Sequence, residues 1–173
     1  YAARFQSDNL IGGTGGSDGH GAALAVTRDS LLVGAPGLSA LFAYYYDQST
    51  NTWETTQCDE NSADCSQKEF LAPAGEYSFG YTLKATDDYC VVAAKATSSS
   101  DETVRIFLKD SGDWGSRWNF VDDSDASAVL ITPTSSGTDF GDGLALTNNY
   151  LAVGASAEEV IYMYERSSSG WST

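Results

Sequence analysis

Histidine, cysteine, proline and positive charge are all scarce in this chain, and the shortages of histidine and of positive charge each remove a class of function. His20 is the one histidine among 173 residues, so paired-histidine catalysis and His-rich metal sites are excluded. Lysine and arginine total 9 against 24 aspartates and glutamates, a formal net charge of −15. Such a surface repels phosphate backbones and anionic membranes, so neither a nucleic-acid partner nor membrane insertion is expected. No apolar run approaches the roughly 20 residues that a membrane-spanning helix needs. Helical periodicity is absent throughout. Hydrophobic residues nevertheless make up 42%, enough for a packed core.

The three cysteines divide into two kinds. Cys90 sits in the apolar run Tyr89-Cys90-Val91-Val92 and reads as a small buried hydrophobe. Cys58 and Cys65 flank a polar loop, Asp59 to Asp64. They read either as a disulfide closing that loop in an oxidising compartment or as two surface thiols, and the disulfide is the expectation. Low lysine content and abundant Ser, Thr, Gly and Tyr point the same way, to an extracellular or cell-surface protein. A first residue that is Tyr rather than Met fits a removed leader or a piece of a longer chain. No Asn-x-Ser/Thr sequon occurs; Thr97–Ser100 and Thr132–Ser136 are solvated loops that could accept O-glycans.

Internal repetition is the strongest signal. Gly21, Gly80 and Gly141 anchor three ungapped matches, 59 and 61 residues apart. Leu24, Leu83 and Leu144 follow, then Thr27, Thr86 and Thr147, then Val33, Val92 and Val153. Trp53, Trp114 and Trp171 recur at similar spacing. Each unit reads as β. Ala23–Thr27 and Leu31–Ala35 are short apolar runs joined by Arg28-Asp29. Asp87-Asp88 and Asn148-Asn149 stand at the same place, residues that tolerate the positive φ of two-residue hairpins. A third strand follows at Phe42–Tyr46, Val104–Leu108 and Val160–Tyr164. A fourth is expected through Trp53–Gln57 and through Trp118–Val121. Four strands per unit of about 60 residues imply all-β architecture with three four-stranded antiparallel blades of the β-propeller type. The units run from about 14 to 74, 75 to 136 and 137 to 173.

The phrase Phe140-Gly141-Asp142-Gly143-Leu144-Ala145-Leu146, followed by Leu151-Ala152-Val153-Gly154-Ala155, resembles an FG-GAP repeat. So do Phe79-Gly80 with Val91–Ala94, and Leu32-Val33-Gly34-Ala35-Pro36. Such repeats build integrin α-subunit propellers and many microbial extracellular proteins. Three departures stand out: His20 for the first Phe, Ala93-Ala94-Lys95 for Gly-Ala-Pro, and Ser156 for Pro. The family's calcium loops are not carried over, because all three units have a tight two-residue turn there, too short to converge six to eight oxygens.

The chain is permuted relative to its blades. It stops at Gly170-Trp171-Ser172-Thr173, where the outer strand of the third blade should begin. It starts with Tyr1-Ala2-Ala3-Arg4-Phe5, which reads as an orphan outer strand within residues 1–10. Either the chain belongs to a longer propeller, or the first strand of one subunit completes the last blade of another, giving a ring or a fibre. An unpaired edge rich in Val, Ile and Tyr invites such pairing.

Chemical motifs are sparse. Asp122, Asp123 and Asp125 form the densest acidic run and are the metal-ligand candidates, but the run lacks the Gly and distal Glu of a calcium loop. No cofactor is expected. Gly12–Gly19 is glycine-rich without the Lys-Ser/Thr of a phosphate cradle. His20 has no nucleophile elbow to serve and is expected to pack against a neighbouring blade. The sequence therefore reads as a non-catalytic structural or adhesive module. Its partners would be itself or other extracellular proteins or glycans. A ligand-binding fragment of a larger adhesin is the alternative, and a polysaccharide hydrolase the remote one.

Overall fold

The computed structural model describes residues 18–53, 67–72, 76–95, 102–109, 118, 128–133 and 138–172. The described residues form three antiparallel sheets, one per repeat, and contain no α-helix. The first sheet holds β1 (Ala23–Val26), β2 (Ser30–Ala35), β3 (Ala40–Asp47), β4 (Thr52–Trp53) and β5 (Gln67–Leu71). The second holds β6 (Tyr77–Ala85), β7 (Tyr89–Lys95), β8 (Thr103–Leu108) and β9 (Ala128–Ile131). The third holds β10 (Phe140–Leu146), β11 (Tyr150–Ala155), β12 (Val160–Ser167) and β13 (Gly170–Trp171), with a 3₁₀ turn at Ser156–Glu158.

The first hairpin of every unit is closed by its repeated threonine. The amides of Thr27, Thr86 and Thr147 donate to the carbonyls of Ser30, Tyr89 and Tyr150, each at 2.8 Å. The threonine hydroxyls accept the amides of the same three residues at 3.1, 3.1 and 2.9 Å. This side-chain staple corrects the expectation of positive-φ turns, since none of residues 28, 29, 87, 88, 148 and 149 has positive φ.

The outer strand differs from its expected position. It begins at the tryptophan, where Trp53, Trp118 and Trp171 pair with Tyr46, Lys109 and Arg166. Trp118, rather than Trp114, thus holds the repeated position. The longer part of the strand comes later in the chain. β5 pairs with β3, setting Leu41 opposite Phe70, and β9 pairs with β8, setting Val104 opposite Ile131. Residues 54–57 and 119–121, expected as strand, lie outside the described residues. The third sheet has the tryptophan stub at β13 but, among the described residues, no strand on the side of Val160–Tyr164 away from β11.

The sheets pack face to face in chain order. Leu32, Leu41, Tyr45 and Phe70 of the first meet Phe79, Leu83, Val92, Phe107 and Trp118 of the second. Val91, Val104, Ile106 and Ile131 of the second meet Phe140, Leu144, Leu151 and Val153 of the third. Side chains alternate along a strand, so Val91 and Val92 serve opposite interfaces. That is why β7 is a nearly continuous apolar run, buried on both faces. Small residues set the approach: a Cβ on Gly34 would lie 1.9 Å from the carbonyl oxygen of Gly80.

Candidate interaction surfaces

Polar contacts repeat at the two joints between sheets. The Ser78 amide donates to Ser39 Oγ at 2.9 Å, and the Phe140 amide donates to Glu102 Oε2 at 2.8 Å. The turns touch as well: the Arg28 amide donates to Asp87 Oδ1, and Asn148 Nδ2 donates to Asp88 Oδ2, both at 2.8 Å. Lys109 of the second sheet pairs with Asp29 of the first. Burial pushes the Asp29 carboxyl up, but hydrogen bonds from Lys109, Ser30 and Thr27 outweigh it and leave the group below the ordinary carboxylate range. Tyr81 donates its hydroxyl to the Phe140 carbonyl at 3.1 Å. Burial, then the charges of Asp142, Glu102 and Asp139, push that phenol up, so it stays a donor.

The chemistry-bearing residues are absorbed into this packing. Asp139 and Asp142, which flank the third unit's Phe-Gly, lie 3.8 and 3.2 Å from Lys95 Nζ. His20 packs on Phe42 and Tyr44 of its own sheet, not on a neighbour, with Nε2 3.0 Å from the Tyr44 hydroxyl. Burial lowers its pKa, partly offset by Asp18. Cys90 is buried, and burial raises its thiol pKa. Among the described residues no group of three or more His, Cys, Asp and Glu could hold a metal ion. Asp122, Asp123 and Asp125, the cysteines Cys58 and Cys65, and the strand Tyr1, Ala2, Ala3, Arg4 and Phe5 lie outside the described residues. Among the described residues no helix is long and apolar enough to cross a membrane.

The unsatisfied surface lies at the two ends of the stack. Leu41 and Ala43 are 0% exposed beneath the second sheet, and Val104 and Ile106 are 0 and 1% exposed beneath the third. Their counterparts in the third sheet, Ile161 and Met163, are 70 and 64% exposed. Val160 and Tyr150 beside them are exposed too. At the other end, Leu24 is 57% exposed where Leu83 and Leu144 are 1 and 8%. Sequence reasoning missed this apolar face. The signal was present: alignment of the third strands puts Ile161 at the place of Leu41 and Val104.

No family model, curated protein or solved structure matches this chain. The functional reading therefore rests on the geometry of the sheets.

Proposed function

We propose that the three sheets are successive blades of a β-propeller of the FG-GAP type, and that the protein is a non-catalytic extracellular structural or adhesive module that works by protein–protein association. The observation that carries this reading is the exposed pair Ile161 and Met163, at positions the other two blades bury completely or almost so. Each buried aliphatic side chain of this size contributes about 1.5–3 kcal/mol on leaving water, so such a face favours a partner. Among the described residues the outer edge of β12 is paired only at Arg166 and Ser167, so the rest offers backbone donors and acceptors beside it. The acidic, Ser/Thr-rich composition and the loop cysteines Cys58 and Cys65 support the extracellular setting.

The test is sedimentation of the purified chain over a wide concentration range, alongside turnover assays on a glycan panel. Association beyond 18.4 kDa that Ile161→Asp weakens supports the reading. A monomer at every concentration overturns it, as does glycan turnover lost on changing one carboxylate.

A further inference from the structure

Building on that reading, we propose that the partner is a second copy of this chain, joined head to tail. The first blade of one copy docks on the third blade of the next.

The docking end is preformed. At both joints within the chain, the docking strand enters through two positive-φ residues flanking an aromatic. They are Ser78 and Gly80 at +50° and +85°, then Asp139 and Gly141 at +54° and +93°. Gly19 and Gly21, flanking His20, have +67° and +90°. A Cβ on Gly80 would meet the Ala40 oxygen at 2.8 Å, and one on Gly141 would meet Ala93 Cβ at 2.8 Å. One on Gly21 would meet nothing within 4 Å. The first unit thus holds the backbone shape of a joint without its counterpart.

The receiving end matches. Gly34 and Ala93 take the incoming Gly80 and Gly141, whereas the nearest atoms to a Cβ on the equivalent Gly154 belong to Gly143 of its own sheet, at 3.5 Å. Ser39 and Glu102 accept the incoming amides, and Glu159 stands at their position with φ +58°, close to the +51° of Ser39. Ile161 and Met163 wait where Leu41 and Ala43 are covered. Leu24 and Val26 of the docking blade are the exposed partners of that surface.

The joint is heterologous, so it closes a ring or runs on as a fibre. Each copy carries −15, so salt should strengthen the joint.

Sedimentation of the intact chain and two variants tests this. The wild type is expected as dimers or longer chains of 18.4 kDa subunits. Leu24→Asp and Ile161→Asp should each weaken association at least about 30-fold. Unaltered circular dichroism excludes misfolding; Leu24 and Ile161 are exposed, so their replacement spares the core. Mixing Leu24→Asp with Ile161→Asp should restore one joint, giving a heterodimer, because each variant keeps the end the other lacks. A wild-type monomer sinks association altogether. Association that survives either variant, or a mixture that stays monomeric, sinks the head-to-tail arrangement.

Discussion

Gly34→Ala tests the closest approach between sheets. The added methyl would sit 1.9 Å from the Gly80 carbonyl oxygen and 2.9 Å from its carbon. Ordinary contact is about 3.5 Å, so the first two sheets must part by roughly 1.5 Å. A gap of 1 Å already forfeits up to about half of each dispersion contact across Leu32, Leu41, Phe79 and Leu83. Overpacking and lost contact together cost about 4 kcal/mol. Alanine regains about 0.5–1 kcal/mol over glycine inside a strand. The net loss is about 3 kcal/mol, or a melting temperature lower by roughly 10 °C in a chain this long. Thermal unfolding followed by circular dichroism reads it directly. Gly143→Ala is the control, because nothing lies within 4 Å of its Cβ position. If Gly34→Ala melts within about 2 °C of wild type, the glycine contact does not set the spacing of the sheets.

Two further outcomes follow from buried charge and burial of the histidine. Glu76 accepts Arg105 Nε at 2.9 and 3.1 Å and Thr103 Oγ1 at 2.9 Å, with Arg105 almost fully buried. Glu76→Leu should cost about 3 kcal/mol in urea unfolding, because it removes the carboxylate that faces a nearly buried guanidinium. Adding Arg105→Tyr, the residue of the third unit at that place, should recover much of the loss; no recovery would mean the cost lies elsewhere. His20 is held neutral by burial, its pKa below 6.5. Its contribution is present above pH 6.5 and is lost as pH falls toward the folded value, because the unfolded chain then binds the proton first. His20→Phe, which restores the residue of the other two units, should therefore flatten stability against pH in that window. An unchanged slope would refute the assignment.

Much of this arrangement was legible in the sequence, for identifiable reasons. The matches anchored on Gly21, Gly80 and Gly141 marked the three units, because Gly80 and Gly141 make the close approach at the two joints and Gly21 keeps the same positive φ. The third strands were legible because Val104–Leu108 and Phe42–Tyr46 are rich in β-branched and aromatic residues. The outer strands were not. The tryptophan after the polar turn suggested a strand at Trp53–Gln57, while the main pairing belongs to β5, whose register against β3 is set by contacts distant in the chain. Trp114 and Trp118 are both plausible repeats by spacing; pairing with Lys109 selects Trp118. The hairpin turns misled because Asp-Asp and Asn-Asn favour positive φ in isolation, whereas the Thr86 and Thr147 hydroxyls stabilise another backbone. The apolar end faces were hidden because Ile161 and Met163 look like core until their neighbours are counted.

The three sheets are stacked in series: the first contacts the second through β6, and the second contacts the third through β10. Stability in such an array is a sum over units and nearest-neighbour joints. Among the described residues the middle sheet is secured on both faces, and each outer sheet is held by one joint. Amide hydrogen exchange should therefore run from the ends inward, with β7 the slowest strand. A closed ring has no ends, so its formation would turn graded opening into a single cooperative event and protect the outer sheets as well as the middle one.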